Sequence, residues 1–175
     1  MRHVIDMLHH NPGEAPFDTN PGHLKTYGFN AQAFKHINTI ATFDSLAPGA
    51  FPGNDEERRW LEAFTADREK EIHEAKDAGL EVYYHIDLFV LPERIVERFR
   101  KEITDPATGR ISLHRPKTLE LHRALFDEIF ACYPQIDGFI VRVGETYLFD
   151  TPYHAGNGAV HYDPERPVED KQEDF

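Results

Sequence analysis

Two short runs of nearly unbroken apolar residues constrain the fold of this chain more than any other feature. Residues 81–91 are β-branched and aromatic for most of their length, and residues 138–143 repeat the pattern. A strand that is covered on both faces, as in a parallel sheet, shows continuous hydrophobicity rather than alternation. We therefore predict parallel strands over both runs, with another at residues 4–8 and a weaker one near residues 26–29.

Helical signals separate the later strands. Asn54 or Asp55 can cap a helix that carries Trp60 and Phe64 on its apolar face, and Gly79 marks its end just before the third strand. Two further helices are predicted to begin at Pro92 and at Pro116, with a turn over residues 105–109 between them. Because strands and helices alternate, the pattern predicts a parallel α/β sheet with right-handed crossovers.

Four βα units make half of an eight-stranded barrel, which usually needs about 250 residues. This chain has 175 residues. We therefore expect an α/β fold in which parallel βα units form the first half of a TIM-type (β/α)₈ barrel, as a single partial domain over residues 1–175. Residues 163–175 are then an acidic tail that leads to a missing second half. A half-barrel that pairs with a second copy and a small open sheet are the alternatives.

Charge and composition limit the classes of partner. The formal net charge is −12, from 31 acidic and 19 basic residues, which argues against nucleic acid because phosphate binding needs clustered Lys and Arg. No run of about 20 apolar residues suggests a membrane span, and residues 1–8 are too short and polar for a signal peptide. We expect a cytoplasmic protein with no membrane partner, with export left open if the N-terminus is partial.

Polar residues follow the ends of all four predicted strands. In parallel α/β barrels the active site lies at the carboxyl ends of the strands. Alternation places Tyr83, His85 and Asp87 on the interior face of the third strand, and Val82, Tyr84 and Ile86 on the helix-covered face. The substrate-binding residues that we expect at the barrel rim are His9, His10, Asn11, Asn30, His85, Asp87, Arg142, Tyr147 and His154.

Glu145 is the leading candidate for a catalytic carboxylate. It lies just past a buried strand, where a general acid/base would be held rigidly. Glycoside hydrolysis needs two carboxyl groups roughly 5–10 Å apart, so the second would be Asp87, Asp150 or a residue on strands that this chain lacks. Alternatively, Glu145 pairs with Arg142 or caps the next helix. For Arg142 itself, an ion pair to Asp6 or Asp87 is favoured over ligand contact.

Two other functions are compatible with these residues. The first alternative is a metal-dependent barrel hydrolase that uses His9, His85 and His154, because converging imidazoles can bind zinc. Adjacent His9 and His10 point to opposite faces of a strand, however, so the favoured interpretation has no metal. Sugar recognition suits the same residues, together with the apolar ring of Tyr147. The second alternative is a non-catalytic saccharide-binding or structural module.

Four segments together resemble the opening half of the catalytic barrel of glycoside hydrolases, of the α-glucuronidase-like and hexosaminidase-like kind. They are residues 6–14, 28–30, 78–85 and 137–145, and the resemblance covers roughly residues 1–160. It implies a (β/α)₈ enzyme that hydrolyses glycosidic bonds of a saccharide without a cofactor, with Glu145 as acid/base. Since the second carboxylate commonly comes from a later strand, the isolated chain is expected to be inactive. Its exposed strand edges predict dimerisation or aggregation.

Overall fold

A computed structural model describes residues 3–6, 19–34, 37, 40–142 and 151–156 of the protein. For the first strand and for Arg142 the description is of the backbone. The elements, in chain order, are β1 (Val4–Asp6), α1 (Pro21–Thr26), β2 (Ala31–Phe34), α2 (Glu56–Asp77), β3 (Glu81–Asp87), β4 (Val90–Pro92), α3 (Glu93–Ile103), α4 (Pro116–Cys132), β5 (Gly138–Arg142) and β6 (His154–Gly156).

The main sheet has four parallel strands in the order β1, β2, β3, β5. Tyr84 of β3 is the register partner of Phe34 on one side and of Phe139 on the other, so these three residues form a row across the sheet. The prediction of an α/β fold with a parallel sheet is confirmed. The described strands form an open sheet and not a closed barrel, with β1 and β5 at the two ends of the strand order.

Both long crossover helices pack on the same face of this sheet. The hydroxyl of Tyr84 donates a hydrogen bond to the carboxylate of Glu71 on α2, at 3.0 Å. Phe126 and Phe130 of α4 meet the ring of Phe139 edge-on, with centroids 5.3 and 5.4 Å apart. Because Phe139 and Tyr84 are register partners, α2 and α4 cover one face together.

The two faces of β3 differ in the way that alternation predicts. Val82, Tyr84 and Ile86 are fully buried on the helix-covered face, where burial of an aliphatic side chain contributes about 1.5–3 kcal/mol. The opposite face carries a buried His85 and a buried Asp87, which are 4% and 5% exposed. Thus the central strand has an apolar face that stabilises the fold and a face on which polar groups are buried.

Helix α2 begins and ends as predicted. The carboxylate of Asp55 accepts the backbone N–H of Glu57 at 2.8 Å, which caps the helix, and Gly79 follows with a φ of +75°. Helices α3 and α4 begin next to the predicted prolines, Pro92 and Pro116. Within the described ranges, no helix combines the length and the apolarity that a membrane span needs.

The predicted second strand is wrong. Residues 26–29 close helix α1, and β2 lies further along the chain. Asn20 caps α1 by accepting the N–H of His23 at 3.1 Å, Pro21 occupies the first turn, and Gly28 ends the helix with a φ of +93°. These cap signals fix a short helix, whereas the aromatic residues nearby had suggested a strand.

The predicted third strand is too long, and its end forms a second, antiparallel pairing. Strand β3 stops at Asp87, the chain turns at Phe89 with a φ of +70°, and β4 then pairs antiparallel with β6. We call this β4–β6 pair the ribbon. Its position beside the end of β3 was not predicted, because the run 81–91 contains no glycine or proline that would indicate a turn.

Gly138 lets β5 approach the ring of Tyr83. A Cβ at position 138 would lie 2.9 Å from Tyr83 Cε1 and 3.1 Å from its Cδ1, whereas a Cβ at Gly53 would meet nothing within 4 Å. We predict that Gly138→Ala lowers the free energy of unfolding by about 1–3 kcal/mol through overpacking, as measured by urea denaturation. Gly53→Ala is the control, and Tyr83→Leu should restore most of the loss. Equal stability of the two alanine variants would contradict this packing.

Candidate functional site

Backbone strain is concentrated in the segments that follow the parallel strands. Among the residues that the structure describes, the non-glycine residues with positive φ are Phe43, Phe89 and Tyr153, at 55°, 70° and 63°. They lie in the segments after β2, β3 and β5, respectively. Such conformations cost on the order of 1–3 kcal/mol each and cluster at functional sites. The strain therefore points to the carboxyl edge of the sheet, where ligands bind in parallel α/β folds.

His85 and Asp87 lie at this edge, as predicted. Asp87 is the last residue of β3, and His85 precedes it on the same face of the strand. The register partner of Asp87 on β5 is Arg142, which is the last residue of that strand. The two residues are therefore neighbours across adjacent strands. The predicted ion pair between them stays a prediction, because the guanidinium lies outside the described part of the chain.

Asn30 does not belong to the rim, contrary to the prediction. It precedes β2, so it lies at the amino edge of the sheet and not at the carboxyl edge. Its side-chain Oδ1 accepts the N–H of His3 at 2.8 Å, and its carbonyl accepts the N–H of Glu81 at 2.9 Å. Asn30 thus joins the starts of three strands. The error follows directly from the misplaced second strand.

His154 occupies the ribbon, opposite Pro92. Its Nδ1 is 2.9 Å from the carbonyl oxygen of Pro152. A nitrogen that faces a carbonyl must carry the proton, so the neutral ring presents its Nε2 as a hydrogen-bond acceptor. Nε2 is buried and has no hydrogen-bond partner within the described part of the chain. Burial lowers the pKa of His154, so the imidazole is neutral at pH 7.

Aromatic rings surround His154. The indole of Trp60 on α2 lies 6.0 Å from the His154 ring and 5.8 Å from the ring of Tyr153, which it meets edge-on. Phe64 stacks on Trp60 at 5.2 Å. All four residues are partly exposed. Sequence reasoning placed Trp60 and Phe64 on an apolar helix face and missed their contact with the ribbon, because nothing in the sequence indicated that the ribbon exists.

A buried ion pair lies one helical turn before Trp60. Nε of Arg94 is 2.5 Å from Oε2 of Glu57, and its Nη2 is 2.7 Å from Oδ2 of Asp55. The Glu57 side chain is 4% exposed, and its Oε1 has no hydrogen-bond partner among the described residues. Burial raises the pKa of Glu57, while the guanidinium of Arg94 opposes that shift. Because an unsatisfied buried acceptor costs about 1–3 kcal/mol, Glu57 is a functional candidate, whereas the sequence indicated only a first-turn carboxylate that favours the helix dipole.

A cavity lies between α2, α4 and residues 40–45. It has a volume of about 620 Å³. Glu128 lines it, accepts the backbone N–H of Thr42 at 2.6 Å, and has its pKa raised by burial. Apolar and acidic side chains make up most of the remaining lining. This cavity lies between the helices, apart from the residues of the carboxyl edge.

Several predicted site residues lie outside the described ranges. These are Glu145, His9, His10, Asn11 and Tyr147. Among the described residues, no group of three or more His, Cys, Asp or Glu side chains could hold a metal ion. The metal alternative includes His9, so it stays untested.

Comparisons of the chain with protein-family models, with curated proteins and with solved structures found no match.

Two histidines with a buried Nε2, His122 and His154, make stability depend on pH. His122 on α4 resembles His154, because its Nδ1 is 2.7 Å from the carbonyl of Thr118 and burial lowers its pKa. Near the ordinary histidine pKa of about 6.5 the unfolded chain takes up protons that the folded protein resists. The contribution of these two histidines to the free energy of unfolding is therefore fully present above that pH, and it is lost as the pH falls toward their lowered pKa values in the folded protein.

We predict that His122→Gln/His154→Gln shows a smaller loss of stability than the wild type between pH 7.5 and pH 5. Glutamine carries no proton-binding site, so this part of the linkage disappears. Denaturant unfolding at several pH values measures the difference. His73→Gln, at an exposed position on α2, is the control and should keep the wild-type pH dependence. If the free energy of unfolding changes with pH by the same amount in the double variant and in the wild type, the assignment of this pH dependence to His122 and His154 is wrong.

Arg94 holds the starts of α2 and α3 together. Its removal leaves the buried carboxylate of Glu57 without its cation. Because Arg94 is partly exposed, we predict that Arg94→Gln lowers the free energy of unfolding at pH 7 by about 1–3 kcal/mol, below the cost of breaking a fully buried pair. Arg123→Gln, at an exposed position on α4, should change it by less than about 0.5 kcal/mol. Urea denaturation of both variants checks the prediction, which fails if they are equally stable.

Proposed function

We propose that this protein is a carbohydrate-active hydrolase of the glycosidase kind, with its site at the carboxyl edge of the parallel sheet. The observation that carries the proposal is the pairing of β3 with β5. Strand β3 ends in the buried Asp87, and in the sequence Glu145 follows the last residue of β5 by three positions. Two candidate carboxylates are thus carried at or just beyond the same ends of adjacent parallel strands.

We also propose that these strands form the first half of a (β/α)₈ barrel. Strand order follows chain order, and α2 and α4 cover the same face. A barrel needs its helices on one side and its interior on the other, whereas a doubly wound sheet carries helices on both faces. His85 and Asp87 are then interior residues at the barrel mouth.

The spacing of the strands suits the chemistry. Neighbouring strands lie about 4.8 Å apart, a spacing compatible with the separation of roughly 5–10 Å that glycoside hydrolysis needs between its two carboxyl groups. In this scheme Glu145 protonates the leaving glycosidic oxygen as that bond breaks. Asp87 either attacks the anomeric carbon or takes a proton from the water that does. His85 and Arg142 would bind hydroxyl groups of the saccharide.

The charge of the chain favours an uncharged substrate. With a net charge of −12, the protein repels phosphorylated and sulfated molecules over the range of a Debye length. Neutral saccharides are unaffected by that field. A saccharide also uses the two kinds of group found at this edge, which are directional hydrogen-bonding side chains and partly exposed aromatic rings.

Because this scheme takes Asp87 as the second carboxylate, and not a residue of a later strand, it requires turnover by the chain itself. We predict that Glu145→Gln lowers kcat on aryl glycosides by about 10²–10⁴-fold, because glutamine cannot donate the proton, while saccharide binding is retained. A panel of 4-nitrophenyl glycosides assays turnover, and isothermal calorimetry with the matching methyl glycosides assays binding. Glu97→Gln, at an exposed position on α3, is the matched control.

The outcomes separate the parts of this proposal. Unchanged turnover in Glu145→Gln would remove Glu145 from the mechanism. Binding without turnover in the wild type would favour a saccharide-binding module. If the wild type neither hydrolyses nor binds any member of the panel, the proposed function is wrong.

A further inference from the structure

One corner of the carboxyl edge holds two buried hydrogen-bond acceptors to which no described residue donates. We call it the ribbon corner and define it by Glu57, Trp60, Arg94, Tyr153 and His154. The acceptors are Oε1 of Glu57 and Nε2 of His154, neither of which has a hydrogen-bond partner among the described residues. Buried polar atoms are rarely left in this state, and two in one corner call for an explanation.

Two independent contacts bring these acceptors to the same place. Glu57 and Trp60 are three residues apart on α2, so they are neighbours on the helix surface, and the ring of Trp60 lies 6.0 Å from that of His154. From the other side, Arg94 binds Glu57 while the N–H of the preceding residue, Glu93, donates to the carbonyl of Tyr153 at 2.8 Å. The corner is thus closed by α2, α3 and the ribbon.

We infer that the ribbon corner binds a neutral pyranose ring, whose hydroxyls donate to Glu57 Oε1 and His154 Nε2 and whose C–H face contacts Trp60 or Tyr153. The inference rests on the proposed function, for which it names the substrate class. Hydroxyl groups supply the missing donors. The partly exposed aromatic rings supply the apolar surface that a sugar face needs.

The charges of the corner select against an acidic sugar. Arg94 is the cation that contacts the two carboxylates, and each of its three nitrogens already has an acceptor. Nε pairs with Glu57, Nη2 pairs with Asp55, and Nη1 donates to the carbonyl of Ala50 at 3.1 Å. Nη1 and Nη2 each keep one further N–H, but the positive charge is already shared by the carboxylates of Glu57 and Asp55. A carboxylate on the ligand would therefore add a third negative charge beside this one cation and would face the acceptor Nε2 of His154. A uronic acid should bind much more weakly than the corresponding hexose.

Tryptophan fluorescence reports on ligand binding at the ribbon corner, because Trp60 is the single tryptophan of the chain. We would titrate the wild-type protein at pH 7.5 with methyl glycosides of neutral hexoses and N-acetylhexosamines, and follow selectively excited tryptophan fluorescence. The charged counterpart is the methyl glucuronide, which differs from the methyl glucoside at C6. We expect saturable changes with at least one neutral glycoside, and at least about tenfold weaker binding of its uronide.

Variants of His154 test the acceptor directly. His154→Phe keeps an aromatic ring but removes the acceptor, so it should weaken binding at least about tenfold. His154→Gln keeps an acceptor oxygen and should restore part of the affinity, which also covers the case in which the phenylalanine variant fails to fold. His73→Phe is the control at an exposed position. Circular dichroism verifies the fold of each variant.

The result that overturns the inference is a Trp60 signal that no neutral glycoside perturbs, or equal affinity of folded His154→Phe and wild type. Stronger binding of the uronide would overturn it as well. These failures are distinguishable from failure of the proposed function. If hydrolysis depends on Glu145 but is unchanged by substitution of His154, only the inference about the ribbon corner is wrong. If saturable binding depends on His154 but no hydrolysis depends on Glu145, the proposed enzymatic function is wrong and the inference about the ribbon corner stands.

Discussion

The structure depends on the burial of β3 from both sides. A central parallel strand has no face toward water, so each residue along it must either pack or find a partner. One face meets this demand with Tyr84, whose ring is buried and whose hydroxyl still reaches Glu71 on α2. The other face meets it with His85 and Asp87, which are polar and buried. A chain retains such groups at a stability cost, which the proposed function would explain.

Because the two faces differ in this way, the residues that stabilise the sheet lie apart from the residues of the candidate site. Helices α2 and α4 cover one face of the sheet, and apolar contacts such as those around Phe139 hold that face together. Strained residues follow the strands at the carboxyl edge, among them Phe89 and Tyr153. Substitutions on the helix-covered face should therefore report on folding, whereas those at the edge can change binding in a protein that remains folded.

Much of the fold could be predicted from the sequence because its signals are local. Helix α2 is bounded by the cap at Asp55 and by Gly79, and strand β5 was recognised from continuous hydrophobicity, although as the last strand of the sheet it is partly exposed, with Val141 at 54%. Non-local features could not be predicted. The turn at Phe89 is held by the pairing of β4 with β6, and the burial of Glu57 depends on Arg94, which lies 37 positions further along the chain. The contact of Trp60 with His154 has the same origin, so the sequence indicated a role for each residue but not that the two rings meet.

The ribbon ties together two connections that are distant in the chain. Three register pairs join Val90–Pro92 to His154–Gly156, so neither connection can gain or lose a residue within the pairing without shifting the other by the same amount. The connection after β2 is constrained in another way, because Phe43 and Phe51 are buried in the core. Engineers who wish to diversify the rim by loop grafting should therefore leave that connection in place and transplant the two halves of the ribbon as one unit.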